Sequence, residues 1–381
     1  IKVAEKQGVP LDKIEGTVQN DILKEYIARG TYIFEPKAGM KLVGDLIEYC
    51  SKYLPKFNTI SISGYHMREA GCNAVQEIAF TLANGLEYIN EMIKRGLSID
   101  QFAPRLSFFF CAQSDFFEEI AKFRAARRLW AKLIKEKYNP KDERSLMLRF
   151  HTQTAGVSLT AQQPENNIVR VAYQALSAVL GGSQSLHTNS KDEAISIPTE
   201  ESVTTALRTQ QILAYETNVT DVVDPLGGSY YIEDLTNRLE SKAKEYLQKI
   251  ESMNGMIQAI NSGYVQKEIS DNAYKNQRQI ESEHKIVVGV NKFKDNKQIK
   301  QKIFKLDTEK IEAYIKSLKE FKTARDQTKL SNALTELELA ARNNLNIFEA
   351  VLKCVEAYCS IGEIVKVLEK IFVKYQEQTT F

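Results

Sequence analysis

Ser61-Ile-Ser-Gly-Tyr-His-Met-Arg-Glu-Ala-Gly-Cys72 is the stretch from which the fold is read. The apolar, β-branched run from Phe57 to Ile62 has the pattern of a short buried strand, placed at Thr59 to Ser63. Gly64 ends that strand, and a helix is expected from near Arg68. Tyr65 and His66 therefore fall at the carboxyl end of a strand, on the turn into a helix. In α/β proteins that edge is where ligands bind. A histidine there can be neutral or charged near neutral pH, so it can polarise or protonate a bound carbonyl. A histidine that merely caps the helix is the plainer alternative.

The same unit recurs along the chain. Gly16 to Gln19 is a strand-like piece leading into Ile22 to Ala28, and further strands are expected at Leu106 to Cys111, Leu146 to Phe150 and Gln184 to Leu186. Between them Ala70 to Ile93, Phe116 to Ile134 and Ile168 to Leu180 carry helical apolar stripes, and another helix follows Pro198. Strand and helix alternating at intervals of roughly forty residues imply parallel strands with helical crossovers. Such repetition favours a (β/α)8 TIM-type barrel, of which the last five β/α units are visible. The three missing units are expected upstream or on another chain, because the sequence opens on what reads as a helix tail ending at Gly8. Asp224-Pro225-Leu226-Gly227-Gly228 is a strong turn. We therefore divide the chain into a barrel portion, 1–222, and a mainly helical extension, 223–381. In the extension, Leu235 to Ile260 reads as one long helix, Lys292 to Lys302 as a solvated linker, and the pattern from Lys310 on as helical.

Composition excludes several classes. In 381 residues, 51 Lys and Arg against 49 Asp and Glu leave a net charge of only +2, which argues against a broad nucleic-acid surface. Five cysteines, Cys50, Cys72, Cys111, Cys354 and Cys359, form no Cys-x-x-Cys pair and read as reduced thiols of a cytoplasmic protein. No signal-peptide pattern and no membrane-spanning run is visible.

His66, His151 and His187 each read as lying just past a strand, among neutral polar residues such as Gln19, Gln113, Thr152, Gln153, Thr188 and Asn189. That rim is rich in hydrogen-bonding groups and poor in charge. With no His-x-His pair and few carboxylates at the strand ends, no catalytic metal is expected. Gly-x-Ser-x-Gly is absent, Cys72 and Cys111 read as inert filling, and Ser61-Ile-Ser-Gly lacks the lysine of a phosphate loop.

Four longer motifs carry a resemblance. Gly-Thr-Val-Gln-Asn-Asp-Ile-Leu-Lys-Glu (16–25), Ser-Ile-Ser-Gly-Tyr-His-Met-Arg-Glu-Ala-Gly (61–71), Phe-Ala-Pro-Arg-Leu-Ser-Phe-Phe (102–109) and Gln-Ser-Leu-His-Thr-Asn (184–189) resemble the catalytic large subunits of the methylmalonyl-CoA mutase family. These belong to the adenosylcobalamin-dependent acyl-CoA mutases. The resemblance implies a barrel threaded by the CoA chain and capped by the cobalamin ring, where an adenosyl radical starts migration of the acyl-thioester group. It implies that His66 hydrogen-bonds the thioester carbonyl and that Tyr65 lies beside substrate and adenosyl group. Thr17, Val18 and Gln19 would contact the acyl part, and Arg29 would pair with the free carboxylate. Lys56, Arg105, Leu106 and Ser107 fall at CoA contacts; Gln153, Asn189 and Glu193 fall at the adenosyl rim.

The family's amino-terminal half-barrel and the Asp-x-His-x-x-Gly of its cobalamin domain are not in this sequence. The resemblance thus implies activity only with that half-barrel and a cobalamin-binding domain or small subunit. The expected assembly is an oligomer, with a GTPase chaperone as a further partner. Two alternatives stand beside the methylmalonyl-CoA reading. One is a sister mutase acting on ethylmalonyl-, isobutyryl- or 2-hydroxyisobutyryl-CoA; the other is a non-catalytic barrel remnant that binds a partner.

Overall fold

The computed structural model describes residues 1–295 and 306–376. The end of the lysine-rich stretch Lys292 to Lys302 lies outside the described residues. Among the described residues, six strands form two parallel sheets. β1 (Gly16–Thr17) pairs with β2 (Phe57–Asn58), while β3 (Ile60–Ser63), β4 (Leu106–Ala112), β5 (Phe150–Thr154) and β6 (Ser185–His187) form a second sheet in that order. The helices are, in chain order, α1 (Lys2–Lys6), α2 (Pro36–Tyr53), α3 (Tyr65–Glu69), α4 (Ala74–Lys94), α5 (Ile99–Phe102), α6 (Phe116–Tyr138), α7 (Asn166–Leu180) and α8 (Glu200–Glu216). They continue with α9 (Tyr230–Ser252), α10 (Met256–Asn261), α11 (Tyr264–Glu281), α12 (Thr308–Ala324), α13 (Gln327–Arg342), α14 (Phe348–Glu356) and α15 (Ile361–Leu368). This is an α/β fold with parallel strands joined by helices. No helix among the described residues is long and apolar enough to cross a membrane.

Two compact units divide these elements. The first takes Ile1–Thr17, Tyr32–Thr59 and the described residues from Leu306 on. Its core gathers Phe34, Ala38, Leu337, Ala341, Ile347, Cys354, Val367 and Leu368, and the Phe34 ring meets Phe372 edge-on at 5.5 Å. Asp45 on α2 accepts the Ile347 N–H at 2.9 Å and so fixes the start of α14. The second unit takes Val18–Thr31 and the described residues from Ile60 to Asp295, and holds the four-stranded sheet. The helices after residue 223 are shared out: α9 packs on α4 and α6 in the second unit, whereas α12 to α15 belong to the first.

Several expected boundaries move. The helix after Gly64 starts at once as α3, and α4 begins separately behind a capping box in which Asn73 and Gln76 exchange bonds. The expected long helix at 235–260 breaks at Gly255, whose φ of +100° no helix accommodates. The fourth strand is not Leu146 to Phe150. Glu143 to Leu146 is a 3₁₀ turn capped by Asp142, and the strand is Phe150–Thr154, with Phe150 opposite Phe108 and Gln153 opposite Cys111. His151 is therefore inside β5, near its amino end, and His187 is the last residue of β6.

The carboxyl end of β4 is held by a buried cluster of four charges. Lys122 on α6 donates to Glu77 at 2.7 Å, to Glu119, and to the Cys111 carbonyl at 2.5 Å. Arg68 on α3 donates to Glu119 at 3.1 Å, and Glu77 accepts the Cys111 N–H at 2.7 Å. Gly64 lets α4 approach: a Cβ there would sit 2.3 Å from Thr81 Oγ1. Removing one cation leaves a buried carboxylate uncompensated, so Lys122→Met should lower unfolding free energy by about 3–5 kcal/mol in urea titrations. Adding Glu77→Gln to that variant should restore part of the loss; a stability unchanged by Lys122→Met would contradict the assignment.

Candidate functional site

Alternation along the strands sorts the site. Phe108 and Phe110 of β4 meet Trp130 (4.9 Å) and Phe123 (6.3 Å) on α6, so Ser107, Phe109 and Cys111 take the opposite face. The register extends that face to Ser61 and Ser63 on β3, His151 and Gln153 on β5, and Ser185 and His187 on β6. None of these side chains carries a fixed charge. His151 Nδ1 lies 2.6 Å from Ser185 Oγ, and its ring centre lies 5.1 Å from that of Phe109. Burial lowers the pKa of both His151 and His187. The result is a neutral, hydrogen-bonding wall.

Tyr65 and His66 stand at the carboxyl end of that wall. The Tyr65 ring stacks on Phe109 at 4.8 Å with 2° between planes, and His66 meets Phe109 edge-on at 5.8 Å. His66 Nδ1 is 2.7 Å from Ser63 Oγ. With the serine hydroxyl donating to Nδ1, the proton of the neutral ring resides on Nε2, which becomes a donor. Burial, followed by the nearby cations Lys24 and Arg29, pulls the His66 pKa from 6.5 to about 4.

Those cations arrive on the segment Val18–Thr31, which is pinned by one carboxylate. Asp21, buried, accepts the Ser63 N–H at 2.8 Å, the Leu23 N–H at 3.0 Å and the Tyr88 hydroxyl at 2.6 Å. Beyond it the chain makes a wide π-helical turn, Glu25–Arg29, closed by Gly30 at φ +74°. Glu25 accepts bonds from buried Lys24 and from Thr31, and Arg29 Nη1 lies 3.8 Å from it. The Arg29 side chain remains 48% exposed, so its guanidinium is open to a further anion. Gln19 is exposed and Val18 half-buried on the approach to Asp21.

A second cluster gathers around Gly156, just past β5. Gln153 Nε2 donates to Asn189 Oδ1 at 2.8 Å, and Asn189 donates to Thr154 at 2.9 and 2.7 Å. Glu69 accepts the Val157 N–H at 2.9 Å. A Cβ on Gly156 would come within 3.0 Å of Glu69, 3.4 Å of Asn189 and 3.5 Å of Glu193, so the three converge there. Burial first, then Glu193, pushes the Glu69 carboxyl up to about 7. Sequence reading passed over Glu69, although its place one helical turn after His66 on α3 was a usable signal.

The other predicted residues lie elsewhere. Ser107 donates to the Ile60 carbonyl at 2.6 Å. Arg105 is half-buried at the amino end of β4, and burial first, then Arg105, lowers the pKa of Arg149. Leu106 is 1% exposed and turned with Phe108 toward the helices, so it offers a ligand backbone alone. Thr17 and Lys56 belong to the first unit, where Thr17 Oγ1 accepts from Asn58 at 2.9 Å and Lys56 pairs with Glu15 at 2.9 Å.

A ring with its pKa held near 4 has a clear signature. His66 should stay neutral down to about pH 4 in histidine NMR titrations, and an inflection near 6.5 would contradict its environment. The unfolded chain binds this proton first, so the His66 contribution to stability falls as pH drops from 6.5 to about 4.

The methylmalonyl-CoA mutase family profile matches residues 1–374. The chain is 48% identical over 379 residues to a methylmalonyl-CoA mutase of Cereibacter sphaeroides, covering 99% of this chain and 53% of that protein. It is 47% identical to the human mitochondrial methylmalonyl-CoA mutase, covering 99% of this chain and 50% of that protein. It is 46% identical to the 2-hydroxyisobutanoyl-CoA mutase large subunit of Aquincola tertiaricarbonis, covering 100% of this chain and 68% of that protein. The chain thus spans about half the length of the two methylmalonyl-CoA mutases. On this match along nearly all its residues, the chain belongs to the methylmalonyl-CoA mutase family.

Proposed function

We propose that the chain is part of an isomerase that interconverts methylmalonyl-CoA and succinyl-CoA with adenosylcobalamin. The observation that carries this reading is the uncharged wall of β3 to β6, ending at a neutral His66 donor with Arg29 beside it. Within this proposal the sheet is the carboxyl-terminal portion of a (β/α)8 barrel, residues 1–222, and 223–381 is its helical extension. The missing half-barrel and a cobalamin-binding domain or subunit complete the enzyme, an oligomer handled by a GTPase chaperone.

The residues around Gly156 fit the adenosyl group. Gln153, Asn189, Glu193 and Glu69 combine amide donors with carboxylate acceptors, as ribose hydroxyls require, and Gly156 leaves the space that a Cβ would fill. When bound, the cofactor supplies hydrogen abstraction through homolysis of its cobalt–carbon bond.

The chain's own residues orient and shield. His66 Nε2–H donates to the thioester carbonyl, stabilising charge on oxygen as the acyl group moves. The low pKa keeps the ring a neutral donor across the physiological range. Tyr65, stacked on Phe109, gives a flat wall that excludes water beside the reacting carbons. Arg29 pairs with the substrate carboxylate, while Thr17, Val18 and Gln19 bracket its acyl part. Lys56, Arg105, the Leu106 backbone and Ser107 serve the CoA arm.

One observation favours asking about a second substrate class, because a 2-hydroxyisobutanoyl-CoA mutase subunit is also similar. A substrate without the second carboxylate leaves Arg29 unmatched. In the complete holoenzyme, His66→Ala should lower kcat for methylmalonyl-CoA by about 10²-fold. Arg29→Gln should lower kcat/KM by about 30-fold or more for methylmalonyl-CoA and much less for 2-hydroxyisobutyryl-CoA. Equal losses on both substrates would remove the carboxylate assignment, and no turnover of any acyl-CoA by the wild-type holoenzyme would favour a binding role.

A further inference from the structure

The end of α14 sets two thiols side by side. There the Cys359 N–H bonds the Cys354 carbonyl at 2.9 Å and the Tyr358 N–H bonds that of Val355 at 3.0 Å, with Tyr358 left-handed at φ +61°. This pair of bonds is the Schellman ending, in which the side chains at the two ends of the turn meet. Here both are cysteines. A separate constraint agrees: Cys354 Sγ lies 3.4 Å from the Ala333 carbonyl and Cys359 Sγ 4.0 Å from that of Leu330, one turn apart on α13. Cys354 is buried and Cys359 partly exposed, so one sulfur meets an oxidant first and the other stands behind it.

We propose that Cys354 and Cys359 are a reversible dithiol–disulfide site, oxidised by a small disulfide of the glutathione class. The Cys359 thiolate attacks one sulfur of glutathione disulfide and releases one glutathione thiolate. Cys354 then attacks the Cys359 sulfur and expels the second glutathione, whose departing thiolate takes the Cys354 proton. Two protein thiols lose two electrons in all, and one glutathione disulfide becomes two glutathiones. Burial raises both thiols above their ordinary range, so exchange accelerates as pH rises. The closed ring would tie the last turn of α14 to Ser360, the residue that caps α15, and both helices carry core residues of the first unit.

Trypsin cuts after Lys353 and Lys366, so the peptide Cys354–Lys366 contains both cysteines and none of the others. The whole protein would be equilibrated with glutathione disulfide at mildly alkaline pH, alkylated, and digested without reductant. That peptide should then be two hydrogens lighter, carry no glutathione and resist alkylation until reduced. Cys50, Cys72 and Cys111, all buried, report whether the protein stayed folded. In Cys354→Ser the same peptide should carry one glutathione on Cys359; in Cys359→Ser it should stay reduced. A wild-type peptide that remains reduced, or that stops at a single glutathione, overturns the proposal whether or not either variant folds.

Discussion

Four buried charges, Arg68, Glu77, Glu119 and Lys122, hold the second unit's sheet where it runs out of strand. Glu77 takes the N–H of Cys111 and Lys122 takes its carbonyl, so the end of β4 is bound by side chains of α4 and α6. Two cations against two carboxylates leave the cluster neutral, and each buried charge has an opposite partner within reach. Breaking such a set is costly because the remaining charge cannot return to water. Arg68 lies two residues beyond His66 on the same short helix, so the cluster also fixes the placement of the imidazole.

Charge is thereby concentrated behind the sheet and kept off its front. The open face carries serines, a phenylalanine, a cysteine, a glutamine and histidines, and burial lowers the histidine pKa values rather than raising them. Asp21 performs the matching task for the incoming segment. Its carboxylate takes the Ser63 N–H, leaving the Ser63 side chain to face His66. A single buried acid thus anchors Ser63 beside His66 and holds the segment that carries Arg29.

How much of this was legible in the sequence follows the range of each interaction. Strand-turn-helix at Ser61 to Glu69 was readable because local signals coincide: a β-branched run, a glycine, then helix formers. β5 was misplaced by several residues because Leu146 and Leu148 look like strand while His-Thr-Gln-Thr does not. Its pairing is decided by the rows of β4 and β6 beside it, which a single window cannot show. Leu106 was assigned to a ligand although alternation turns it to the helices, an inference that needed only the neighbouring Phe108. Asp21 and Glu69 passed unremarked because their partners, Tyr88 and Val157, become neighbours only through turns and helix packing. The grouping of residues into two units was likewise out of reach, since the first assembles pieces separated by most of the chain.

The pairing around Glu25 shows how a chain of this family can hold a strong cation near an uncharged imidazole. Glu25 is engaged by Lys24 and by Thr31, which satisfy most of its capacity. Arg29, one turn further on at 3.8 Å, is near enough to be steadied by the carboxylate but too far for a full hydrogen bond. Its planar fork keeps donors unspent, suited to a bidentate anion. Burial first, and then the positive field of Lys24 and Arg29, disfavours protonation of His66, so the cations on this segment reinforce what burial begins.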